Sequence, residues 1–220
     1  MEELNCETVF TIPIFGGIDV GESVVVSWII MAVLVCLAML MTRNLKVEHP
    51  GKGQVILETA VSALHNMVSD MVGEEGKRYV PYLMTVLLYI GISNIIGLFG
   101  FKPPTKDLTV TIALGVMSIV LIEYAGIYAK GPKGWIKSFA QPVAIMTPFN
   151  ILEIVIRPLS LCMRLFGNVL GAFVIMELIK QIVPVVLPVP FSLYFDIFDG
   201  LIQAYVFVFL TSLFIKEAVE

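Results

Sequence analysis

Five long apolar runs dominate this 220-residue chain and leave it few ways to fold. They extend from Val24 to Met41, Val80 to Phe99, Leu108 to Ala129, Pro148 to Ile179 and Phe191 to Ile215. A bilayer interior holds no water to satisfy exposed backbone groups, so apolar runs of this length read as helices, which satisfy those groups internally. The chain is 58% hydrophobic and 15% charged, where a soluble domain carries roughly 25% charge. The expected fold is all-α: a polytopic membrane protein with about five transmembrane helices in a single membrane domain over residues 1–220.

The connector from Val55 to Val72 differs in kind. VILETAVSALHNMVSDMV alternates apolar and polar residues at helical spacing, which predicts an amphipathic helix on the membrane surface. Glu58, His65 and Asp70 argue against a sixth span. The fourth run is too long for a perpendicular crossing, and the fifth offers Gly200 as a weak point. With three prolines between Val183 and Pro190, these two helices are expected to form a long, strongly tilted hairpin.

Lysine and arginine placement sets the expected orientation. With the N-terminus outside, Arg43, Lys46, Lys52, Lys77, Arg78, Lys130, Lys133, Lys137 and Lys216 lie inside. Lys102, Lys106 and Lys180 lie outside, so the C-terminus is cytoplasmic. The acidic start MEELNCETVF is unlike a signal or transit peptide, which predicts a retained first span in a bacterial plasma membrane.

Several classes are disfavoured. A net charge of −4 without a basic patch speaks against nucleic-acid binding. Cys6, Cys36 and Cys162 are scattered, and neither His49 nor His65 has a co-ligand nearby in sequence, so no metal site or cofactor is expected. No phosphate loop or nucleophile elbow is present. An independent transporter would favour internal repeats, which the sequence lacks. A purely structural scaffold remains the other rival.

The polar residues within the apolar runs carry the functional argument. An arginine near a bilayer centre costs at least about 2.5–3.5 kcal/mol on insertion scales, and its guanidinium does not deprotonate. The fourth run holds two, Arg157 and Arg164, two helical turns apart. Glu153 stands one turn before Arg157, and Ser160 and Asn168 flank Arg164 by one turn each. Glu153 and Arg157 read either as a structural pair near the inner interface or as part of an ion path. Gly167 and Gly171 form a small-residue seam that lets another helix approach.

The fifth run supplies Asp196, Asp199 and Gln203 on one face, with Ser192 one turn earlier. Carboxylates at membrane depth can hold or relay protons. Glu177 reads as a partner for Lys180 or as a third outer-path carboxylate. Glu123 reads as an arginine partner or as part of an inner channel. Asp107 reads as a helix cap or an outer-path residue, and Asn94 flanks the same hairpin.

The run Arg157-Pro-Leu-Ser-Leu-Cys-Met-Arg164-Leu-Phe-Gly-Asn168 closely resembles the signature of subunit a of the F-type ATP synthase. Gln203, Pro103-Pro-Thr-Lys-Asp107-Leu-Thr-Val-Thr, Ser93-Asn94-x-x-Gly97-Leu and Lys130-Gly-Pro-Lys-Gly extend the resemblance over most of the chain. It implies that Arg164 is the stator arginine, with Asn168 and Gln203 beside it. It implies two offset half-channels that couple H⁺ or Na⁺ flow to rotation of a c-ring. The implied partners are the c-ring, peripheral-stalk subunit b, the rest of the F-type complex and membrane lipids. Two positions depart from the family pattern. Asp196 stands where Glu or His is usual, and Phe173 stands where Gly, Glu or His is common, which leaves Glu177 to supply a polar group.

Overall fold

The computed structural model describes residues 8–12, 18–43, 45–46, 51–99, 101–138, 147–182 and 188–219. Cys6, His49 and most of the 183–190 connector lie outside these residues. Thr8–Ile12 (β1) and Ile18–Gly21 (β2) pair as a small antiparallel ribbon ahead of the first helix, an addition to an otherwise helical fold. The helices are α1 (Glu22–Thr42), α2 (Lys52–Val72), α3 (Val80–Ile95), α4 (Leu108–Ser138), α5 (Thr147–Ile182) and α6 (Pro188–Val219). Five helical spans among the described residues are long and apolar enough to cross a membrane. These are α1, α3 with its flanking turns, α4, α5 and α6; α2 is not among them.

Helix α2 docks by its last turns. Val68 and Val72 are buried in the common core, whereas Val55, Ile56 and Val61 are exposed. Gly73 then ends the helix with φ +79, a conformation open to glycine, and its N–H bonds Ser69 O.

The core lies among α2, α3, α4, α5 and α6, built on Leu83, Ile90, Ile122, Leu165, Phe207 and Ile215. Helix α5 rests mainly on α4, and α6 on α3 and α4, so the last two helices are less a closed hairpin than two arms around α4. Gly115 of α4 permits the contact with α5, since a β-carbon there would lie 3.1 Å from Pro158 O. Helix α5 has 36 residues, roughly 54 Å at about 1.5 Å each, against a hydrocarbon core of about 30 Å.

Two helices depart from simple rods. Helix α4 runs past the expected Ala129 and turns back at Gly131, where φ is +71 and Pro132 removes a backbone donor. The Lys130-Gly-Pro-Lys-Gly stretch is thus a kink between two helical pieces. Helix α6 contains a π-helical stretch, Leu193–Asp199, that ends at Gly200. The irregularity expected at Gly200 therefore occupies the two turns before it.

Contacts sort the connections by end. Lys102, between α3 and α4, pairs with Glu22 at the start of α1 at 3.1 Å. Lys102 also lines a cavity with Lys180, from the end of α5. At the opposite end, the Arg78 guanidinium lies 4.7 Å from the Tyr128 ring centroid and Arg157 pairs with Glu217. The three lysines expected on one side therefore share an end of the bundle with the N-terminus of α1.

Candidate ion-translocation site

Helix α5 is amphipathic in an unusual sense. It buries Leu161, Cys162 and Leu165 against the bundle and turns Ser160, Arg164, Gly167 and Asn168 outward. Arg164 is exposed and has no ion-pair or hydrogen-bond partner among the described residues. Among the described residues, nothing beyond the helix's own nearby backbone and the adjacent residues stands within 4 Å of a β-carbon built on Gly167 or Gly171. The seam that predicted a close helix approach thus faces nothing among the described residues.

Behind that face lies a cavity of about 490 Å³ between the ends of α3, α5 and α6. Asp196, Asp199, Gln203 and Asn94 line it, together with Phe173. Ser192 Oγ donates to Asp196 Oδ2 at 2.7 Å. The four residues Ser192, Asp196, Asp199 and Gln203 share one cavity even though the π stretch changes the helical phase between them.

Gln203 connects the cavity to the outward face. It is 3% exposed, and its Oε1 accepts from Asn168 Nδ2 at 2.7 Å. Asn168 stands one turn after Arg164 on the same exposed side. Gln203 Nε2 is buried and finds no partner among the described residues. Buried donors of this kind are normally satisfied by water or a ligand.

The remaining predicted residues separate into distinct places. Asn94 Nδ2 donates to Gly200 O at 3.0 Å, and Asn94 Oδ1 accepts from Thr105 at 2.7 Å. Asp107 caps α4, accepting from Thr109 N at 2.9 Å, and does not line the cavity. Glu177 also lies outside the lining and sits 3.8 Å from Lys180. Phe173 does line the cavity, and Lys106 Nζ lies 3.3 Å from its ring centroid. Glu123 accepts from Trp135 Nε1 at 2.8 Å, so its recorded partner is an indole rather than an arginine. The kink at Gly131 brings that indole back along α4.

Arg157 is held far from Arg164 in environment, though close in sequence. It pairs with Glu153 at 3.2 Å and Glu217 at 2.7 Å, and lies 5.0 Å from the Phe214 ring centroid. Sequence reasoning missed Glu217, which lies 60 positions away and belongs to no local pattern. It also missed Gly97 as a contact of Asp196, although the motif that contains Gly97 was visible.

Comparison with known proteins fits this arrangement. The ATP synthase A chain family matches residues 24–216. The chain belongs to that family. It is an ion-translocating membrane component of the ATP synthase and is not catalytic by itself. The ATP synthase subunit a of Moorella thermoacetica is 36% identical over 206 residues, covering 93% of this chain and 94% of the relative. ATP synthase subunit a 2 of a Bradyrhizobium species is 32% identical over 205 residues, covering 93% and 91%. A Propionigenium modestum protein named as sodium ion specific is 30% identical, covering 92% and 75%.

Proposed function

We propose that the open flank of α5 faces a c-ring and that Arg164 is the stator charge its carboxylates meet. The observation that carries this reading is the outward Arg164, unpaired among the described residues, on a face whose glycines have none of those residues before them. A permanent cation at membrane depth is tolerated when it pairs or serves an ion path. The fold supplies no partner for it among the described residues, so a carboxylate on another subunit is the fitting counter-charge.

The cavity serves as the outer half-channel in this reading. An ion enters from the periplasmic side, under an orientation with N-terminus out and C-terminus in. It passes Asp196 and Asp199 and reaches the rotor beside Gln203 and Asn168. A neutralised rotor carboxylate can then move into lipid, which a charged one could do only at high cost. Arg164 holds the ionised form and keeps the two access paths from joining. Glu153 and Glu217 mark the opposite end, where the ion leaves. Peripheral-stalk subunit b completes the stator in a bacterial plasma membrane. Each elementary charge crossing 100 mV releases about 2.3 kcal/mol.

Arg164→Ala in the assembled complex tests this assignment. ATP-driven ion uptake into membrane vesicles should vanish while subunit assembly persists. Retained uptake at wild-type rate would remove Arg164 from the mechanism and favour a scaffold role.

A further inference from the structure

The two helix ends that border the cavity meet through reciprocal glycines. Gly97, in the 3₁₀ turn after α3, faces Asp196 of α6. A β-carbon on Gly97 would stand 2.9 Å from Asp196 Oδ1, 3.2 Å from Cγ and 3.5 Å from Oδ2. Gly200 of α6 in turn faces Asn94 of α3, where an added β-carbon would lie 2.8 Å from Asn94 Cβ. Each helix thus offers a missing side chain to the polar residue of the other.

These contacts bracket the π stretch. Asn94 Nδ2 holds the Gly200 carbonyl at its C-terminal end, and Thr105 fixes the Asn94 amide from behind. Gly97 receives the carboxylate from the middle of the stretch. Ser192 fixes the same carboxylate from the N-terminal side. Asp196 is therefore aimed by α3 as much as by its own helix.

We propose that Gly97 is a positioning residue for the outer ion path. Its bare α-carbon is the seat of the Asp196 carboxylate, so the relay position belongs to a point in space that either helix can supply. This rests on the reading of Asp196 as an outer relay. Because the Gly97 β-carbon site lies 3.2 Å from Asp196 Cγ, a carboxylate carried by position 97 reaches the same part of the cavity.

A carboxylate transplant in the assembled complex tests both layers. Asp196→Ala should lower ATP-driven ion uptake by about 10²-fold, within the range for loss of a proton-transfer group. Adding Gly97→Asp to that variant should restore uptake by at least about tenfold. Gly97→Ala in the otherwise native chain should slow uptake and displace its dependence on external pH, a readout that loss of stability alone would not move. Wild-type uptake in Asp196→Ala would overturn the relay reading itself. If that variant is slow, an assembled transplant no faster than it would overturn the positioning role. If the transplant fails to assemble, Gly97→Ala decides: an unchanged rate and pH profile would overturn the proposal.

Discussion

Arg157 offers a sharp test because its burial and that of its partners differ. Its side chain is 14% exposed, while those of Glu153 and Glu217 are 50% and 54% exposed. Removing one carboxylate leaves the other in contact. Glu217→Gln should therefore cost only about 1 kcal/mol, in the range of half-exposed pairs. Removing both strands a largely buried guanidinium whose Nε already lacks a partner among the described residues. Loss of all partners from a buried charge costs about 3–5 kcal/mol. Arg157→Leu is the milder change, because the freed carboxylates are hydrated at once. Its loss is the cation–π contact with Phe214, about 0.5–1 kcal/mol, together with the contribution of the bridge. The order of damage should be the double carboxylate variant, then Arg157→Leu, then Glu217→Gln. Adding Arg157→Leu to the double variant should recover stability. Heating the detergent-solubilised complex and following the fraction of this chain that stays soluble gives the comparison. Additive carboxylate losses, or Arg157→Leu as the most damaging change, would refute the reasoning.

Other consequences follow from the same geometry. Gly167→Ile adds bulk where the described residues leave open space, so the chain's own fold should hold while coupled ion uptake falls; normal uptake would mean that no rotor passes that face. Asp196→Asn should slow uptake strongly, whereas Asp199→Asn tests whether the second cavity carboxylate shares the load; native rates across external pH in both would move the relay to Glu177. Gly131→Ala places a side chain at φ +71, a cost of roughly 1–2 kcal/mol, and should loosen the Trp135–Glu123 contact. A shift of Trp135 fluorescence in a Trp28→Phe background would report it, and an unchanged spectrum with unchanged stability would oppose the assigned strain.

What was legible in the sequence follows from periodicity. Five apolar runs gave five helices long and apolar enough to cross a membrane, within a few residues at most boundaries, and VILETAVSALHNMVSDMV gave α2. The α5 face was also legible, since Ser160, Arg164, Gly167, Asn168 and Gly171 follow one helical stripe. What periodicity cannot see is a helix that changes its own period. The π stretch alters the phase of Asp196 against Gln203, yet both residues still reach the cavity because Asn94 and Gly97 hold the stretch from outside. Likewise, Arg157 and Glu217 meet only because α5 and α6 converge at one end. Trp135 finds Glu123 only because Gly131 reverses the chain.

The exposure of α5 itself carries an argument about assembly. Together with α1, it is the least buried of the crossing helices, although it holds the most conspicuous charge. For α1 the uncovered surface is apolar, with Ile29, Val33, Leu37 and Leu40 exposed, and lipid can cover it. The α5 flank is different. Arg164, Ser160 and Asn168 are groups that hydrocarbon serves poorly, whereas Gly167 and Gly171 make a shallow track rather than a closed socket. A fixed partner would be expected to fill such a track with interlocking side chains. On the proposed rotor-facing reading, a smooth track with one permanent charge suits a surface passed by many identical partners in turn, each held briefly by Arg164 and then released.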